Sequence, residues 1–224
     1  MVLCGWDGPN QSSNNILVSI GYTKLKLINT ITGQITVPGM IDHRVIIGAT
    51  SPGKVFPITG RHILVVLDQE GNQLKEYEHD KHNKRLFTYS RCITSTINGN
   101  IYVVDMLNKD GRGRVVVLEP GGDILGIYPG HQDVNTETEP FRPVGILTTP
   151  SDNIIVTDFE AHLLHILINQ GQVITYYNLS DMEILGPYSL DLSTTGTIFI
   201  GCASEKGSTD TTKAKLYELE YSGI

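Results

Sequence analysis

The feature that most limits what this chain can fold into is a turn that keeps returning. Thr32-Gly33-Gln34-Ile35, Glu70-Gly71-Asn72-Gln73, Gly121-Gly122-Asp123-Ile124, Gln170-Gly171-Gln172-Val173 and the terminal Ser222-Gly223-Ile224 recur at intervals of about 40 to 50 residues, a period typical of repeat architectures. A second, independent set of turn residues keeps step with the first: Asn14-Asn15-Ile16, Pro52-Gly53-Lys54, Asn98-Gly99-Asn100, Ser151-Asp152-Asn153 and Thr195-Gly196-Thr197. Gly, Asn and Asp suit these places because they tolerate the positive φ that tight hairpins require. Both registers count five repeats.

The clearest repeat runs from Arg142 to Tyr177. Between its turns lie four short apolar runs, Val144 to Thr148, Asn153 to Val156, His162 to Ile168 and Gln172 to Tyr177, rich in β-branched and aromatic residues. None is long enough for a helix, so each repeat predicts a four-stranded antiparallel meander. A lone sheet of this kind cannot cover both faces, whereas sheets packed around an axis can. The expected fold is therefore all-β, a β-propeller of four-stranded antiparallel blades forming one domain over 1–224. The blades fall at about 1–39, 43–78, 90–128, 142–177 and 188–224. In the second blade the strands read Arg44 to Ala49, Lys54 to Ile58, His62 to Leu67 and Gln73 to Tyr77; in the first, the inner strand lies around Met1 to Gly8. The fifth stops at Gly223-Ile224, where its last strand should begin, which leaves two readings: a complete five-bladed ring or an incomplete larger one.

Charge narrows the partners. Seventeen Lys plus Arg against 24 Asp plus Glu give a net charge of −7, a surface that repels phosphate polymers and anionic membranes. DNA and membrane partners are not expected, and RNA is disfavoured. The start, Met1 to Asp7, lacks the basic lead and apolar core of a secretory signal, and no uncharged apolar run reaches the ~18 residues of a bilayer span. A cytoplasmic protein is expected. Cys4, Cys92 and Cys202 fall in different repeats without a CxxC pair, which suggests neither a disulfide framework nor a zinc site.

Asn100 to Asp105 and Asn153 to Asp158 each follow the pattern Asn-x-Ile-x-Val-x-Asp loosely, with a strand and a glycine turn after them. In this, and in the ending Gly201 to Gly207 through Lys215-Leu216-Tyr217, the chain resembles the NHL-repeat propellers of the tripartite-motif (TRIM) family, in their diverged invertebrate form. The resemblance implies a six-bladed relative, hence a truncated ring here. It also implies a non-enzymatic protein-interaction propeller, the substrate-recognition module of a ubiquitin ligase. The zinc-binding RING and B-box domains and the coiled coil of that family have no counterpart in this sequence, so no ligase activity is expected of it. The alternatives are an RNA-binding propeller of post-transcriptional regulation and, second, a metal-dependent propeller hydrolase or lactonase.

Loop lengths point to one face. The connections Glu78 to Tyr89, Asp105 to Gly113, Pro129 to Arg142, Asn178 to Pro187 and Ser204 to Lys213 are long and varied, while those on the other face are tight. A protein partner is expected on the long-loop face, through Lys81, Lys84, Arg85, Lys109, Arg112, Arg114 and His131. Asp105 and Asp158, at the ends of second strands, follow the NHL pattern, and the resemblance implies that they accept backbone hydrogen bonds at turns. His162 and His165, three apart, should lie on opposite faces of a strand and share no ion. On the inner strands, read as Val45 to Ala49, Cys92 to Ser95, Val144 to Thr148 and Ser189 to Ser193, Asp191 is the one ionisable residue. That set offers no acid and base pair and no cage for a cation, so neither catalytic residues, metal nor cofactor is expected.

Overall fold

Short β-branched runs closed by tight turns fold back on themselves, and five antiparallel sheets result. The computed structural model describes residues 15–20, 24–29, 35–36, 45–50, 62–67, 73–193, 195–203 and 214–221; before Lys75 it describes only the side chains of Leu64 and Val66. The chain divides into two compact units, Met1–Phe87 and Thr88–Ile224.

In the first unit, β1 (Asn15–Ile20), β2 (Lys24–Asn29) and β3 (Ile35–Thr36) form one meander, and β4 (Val45–Thr50), β5 (His62–Leu67) and β6 (Gln73–Tyr77) form another. The strand expected at Lys54 to Ile58 falls outside the described residues. It does not stand between its neighbours, because β4 pairs directly with β5, Thr50 opposite His62. The inner strand expected at Met1 to Gly8 and the turns at Gly33, Gly71 and Gly223 also lie outside the described residues.

The second unit follows the predicted repeat closely. Its sheets are β7 (Ser90–Ser95), β8 (Ile101–Met106), β9 (Gly113–Leu118) and β10 (Ile124–Tyr128); β11 (Pro143–Thr148), β12 (Ile154–Asp158), β13 (Leu163–Leu167) and β14 (Val173–Asn178); and β15 (Pro187–Leu192), β16 (Thr197–Cys202) and β17 (Lys215–Glu220). Strand β11 packs beside both β7 and β15, so these three are the inner strands. Alternation along β12 shows how one sheet serves two interfaces. Ile154 and Val156 join Tyr102, Val104, Val115, Val117, Tyr128, Phe141 and Leu167 in one core, whereas Ile155 turns the other way, to Leu164, Ile166, Ile198 and Ile200. Each fully buried valine or isoleucine contributes roughly 1.5 to 3 kcal/mol, so the joints between sheets carry much of the stability.

The first hairpin of each sheet is built alike. Thr96, Thr149 and Ser193 open it by donating their N–H to the carbonyls of Asn100, Asn153 and Thr197. Three residues on, Gly99, Asp152 and Gly196 sit at φ 87°, 65° and 87°. Asp152 holds this left-handed place without being glycine, and its Oδ1 accepts the N–H of Ile97 from the neighbouring sheet. Gly171, in the later turn, has φ +81°, and a Cβ there would lie 2.7 Å from Cγ2 of Val117.

Candidate functional site at the bulged ends of the inner strands

Each inner strand is led in from a long loop, and the last residue of the second strand fixes the approach. Asp105 Oδ1 accepts the N–H groups of Thr88 and Tyr89, both at 2.7 Å, while its Oδ2 receives Nε and Nη2 of Arg114, both at 2.9 Å. Asp158 Oδ1 accepts the N–H of Arg142 at 3.3 Å, and its Oδ2 receives Nδ2 of Asn135 at 2.7 Å. Both carboxylates are wholly buried. In the third sheet Cys202 stands in this place, and His162 from the preceding sheet substitutes by accepting the N–H of Gly186 on Nδ1 at 3.0 Å. One backbone bond accompanies all three arrangements: Met106 N–H to Tyr89, Phe159 N–H to Arg142 and Ala203 N–H to Gly186.

Just past these anchors all three inner strands carry a β-bulge. Ser90 pairs with Asp105 and Cys92 with Val104, so Arg91 is the extra residue. Pro187 pairs with Cys202 and Ser189 with Gly201, so Tyr188 is the extra residue. In β11 the shift lies between Pro143 and Ile146, at Val144-Gly145. Bulges re-aim side chains and are frequent beside functional sites. Here they bring Arg91 and Tyr188 together: the guanidinium lies 4.9 Å from the centroid of the Tyr188 ring. Nη1 of Arg91 also contacts Sδ of Met106 at 3.6 Å, and Phe159 meets the Tyr188 ring in a T-shaped arrangement, centroids 6.1 Å apart. Gly145 makes the close approach of β15 possible, because a Cβ there would lie 2.9 Å from the carbonyl oxygen of Tyr188. At the far end the strands are joined by the Thr94 and Thr148 hydroxyls, 2.6 Å apart.

Beneath the 129–142 loop lies a buried polar chain. Tyr128 Oη is 2.8 Å from Nδ1 of His165, whose Nε2 is 3.7 Å from Asp158 Oδ2. Burial, with the Asp158 carboxylate adding to it, pushes the Tyr128 hydroxyl well above its ordinary value. It therefore stays protonated and shares a hydrogen bond with the His165 ring. Asn135 Oδ1 accepts the N–H of His131, tying the loop to this chain.

The binding candidates from the sequence fall in both units. Lys81, Lys84 and Arg85 are exposed in the first unit, on a turn organised by Asp80, whose Oδ1 accepts the N–H groups of His82 and Lys84. Lys109 and Arg112 are exposed on the β8 to β9 loop of the second unit, whereas Arg114 turns inward onto Asp105. His131 is half-buried, its ring 5.1 Å from that of Tyr176. His162 and His165 do not converge, and no three His, Cys, Asp or Glu side chains gather among the described residues. Sequence reasoning missed Arg91 and Tyr188 because it began β7 and β15 two residues late. Counting back an equal distance from Thr96, Thr149 and Ser193 would have included both.

No protein-family model matches the chain, and no curated protein matches it. Solved structures do. A luciferin-regenerating enzyme matches 95% of this chain and 76% of its own at 13% identity, TM-score 0.57. A calcium-binding protein, regucalcin, from Agrobacterium tumefaciens matches 93% and 72% at 16% identity, TM-score 0.56. A candidate gluconolactonase matches 85% and 68% at 14% identity, TM-score 0.50. With its antiparallel four-stranded sheets, the chain has an all-β propeller fold. No candidate membrane-spanning helix, long and apolar enough to cross, occurs among the described residues.

These structures overturn the expectation of a non-enzymatic interaction propeller serving ubiquitin ligation. That expectation rested on turn glycines and on the Ile-x-Val-x-Asp motif, which encode hairpins and anchored lead-ins and so belong to blades in general. The same blades occur in proteins named as enzymes. The expectation of no catalysis also rested on inner strands read too short to contain Arg91.

Proposed function

We propose that the chain is a small-molecule hydrolase of the propeller type, opening a lactone or ester along its inner strands. The observation that carries this reading is the set of three bulges at one level, which turn Arg91 and Tyr188 out of the ladder on the long-loop side. The reaction class comes from the named enzymes that share the fold. Asp191, exposed on β15 three positions beyond Tyr188, about 10 Å along a strand, is the base. Its Oδ1 accepts the N–H of Leu192, which holds the carboxylate in place. The carboxylate takes a proton from water, the water oxygen attacks the acyl carbon, the acyl C–O bond breaks, and the leaving oxygen takes the proton back. Regucalcin is described as calcium-binding, but the described residues of this chain offer no cluster of cation ligands, so no step is routed through a metal.

The test is turnover of a panel of lactones and aryl esters by the purified chain. The expected result is hydrolysis above the uncatalysed rate for at least one substrate, reduced about a hundredfold or more by Asp191→Asn. No turnover anywhere on the panel, or an unchanged rate in that variant, overturns the proposal.

A further inference from the structure

The arginines of the second unit are treated unequally. Arg114 pairs with Asp105 at 2.9 Å and Arg142 with Glu160 at 3.3 Å. Arg91, half-buried on an inner strand, has no carboxylate partner among the described residues. Its contacts are the Tyr188 ring and the weakly accepting sulfur of Met106. In a chain of net charge −7, an acid could readily have been placed beside it. Two bulges and the missing side chain of Gly145 instead bring its guanidinium to 4.9 Å from the centroid of an aromatic ring, and apart from the Nη1 contact with the Met106 sulfur its N–H groups have no partner among the described residues. A guanidinium edge presents parallel N–H groups matched to two oxygens of a planar anion.

We propose that Arg91 and Tyr188 form a binding subsite for the carboxylate of a small planar or aromatic acid. The guanidinium edge takes the two oxygens, and the exposed Tyr188 ring, 46% accessible, lies against the skeleton of the ligand. A monoanion fits better than a phosphate dianion, because one arginine must overcome the field of an acidic protein. The subsite rests on the small-molecule reading above, placing one end of the substrate, but it concerns binding alone.

Phenylacetate and its neutral isostere phenylacetamide are the probes, titrated into the full chain by calorimetry. The wild type should bind the carboxylate at least about tenfold more tightly than the amide, a difference of about 1.4 kcal/mol. Arg91→Gln should erase the preference, Arg91→Lys should keep part of it, and Tyr188→Leu should weaken both ligands. Thermal unfolding of each variant identifies those that fold, and Arg91→Lys retains the test if the glutamine variant does not. Absence of phenylacetate binding, or an undiminished preference in a folded Arg91 variant, overturns the subsite. Turnover without this preference refutes the subsite and leaves the hydrolase reading standing; the preference without turnover does the reverse.

Discussion

Two of the three sheets in the second unit lead into their inner strand past a buried carboxylate, and the third does so past an imidazole. Asp105 and Asp158 hold the approaches to β7 and β11, whereas His162 reaches from one sheet to the next to hold the approach to β15. The backbone bond beside each anchor is nevertheless the same. What the fold requires is an acceptor for the lead-in N–H, and the side chain that supplies it can change. The choice has consequences for charge. A carboxylate at 0% exposure needs donors around it, which Arg114 and Asn135 provide. The carboxylate sheets should therefore suffer more from loss of their anchor.

The largest effect is expected at Asp105. Replacing it by alanine strips Thr88 and Tyr89 of an acceptor and removes the charge that Arg114 faces, which should cost about 3 kcal/mol, the lower end for a buried pair because Arg114 is partly exposed. Asp158→Ala, which releases Asn135 and the 129–142 loop, should cost about 2 kcal/mol. Denaturant unfolding of both variants measures this. His162→Asn keeps the left-handed backbone at φ 56° and withdraws the acceptor from Gly186, which should cost about 1 kcal/mol. A histidine variant as damaged as Asp105→Ala would break the comparison, since anchor charge would then be irrelevant.

The smallest effect belongs to an exposed anchor of the same kind. The N–H of Lys84 donating to Asp80 holds that carboxyl below its ordinary 3.8, with the N–H of His82 and the charges of His82 and Lys84 adding to it. A depressed carboxyl stabilises the fold above its unfolded pKa and loses that contribution as pH falls through the folded value. The 79–85 turn should hold at neutral pH and loosen at a pH below about 4. Faster amide exchange at His82 and Lys84 under those conditions, beside unchanged exchange in β8, would show it.

Much of the second unit was legible in the sequence, because turns are local. Gly99, Gly122, Gly171 and Gly196 all adopt positive φ, as hairpin chemistry requires. Asp105 and Asp158 accept backbone N–H groups, as the NHL-like motif they close implied. The bulges were not legible. A one-residue slip leaves no mark on the alternation of a short strand and emerges only when partners are aligned, which is how Arg91 was lost. Arg114 read as a surface cation because its partner lies nine residues away, across a hairpin. The strand expected at Lys54 to Ile58 lies outside the described residues, and β4 pairs directly with β5. Chemistry was least legible of all, since blade motifs encode geometry and the reactive positions come from loops and irregularities.

The central claim is that three anchored, bulged lead-ins build one small-molecule site at the long-loop end of the inner strands. Mapping amide shifts while phenylacetate is titrated into the labelled chain tests it most directly. Shifts are expected to concentrate at residues 90–92, 144–146 and 188–189. Shifts confined to the tight turns around Gly99, Asp152 and Gly196, at the opposite end of the same strands, would contradict it.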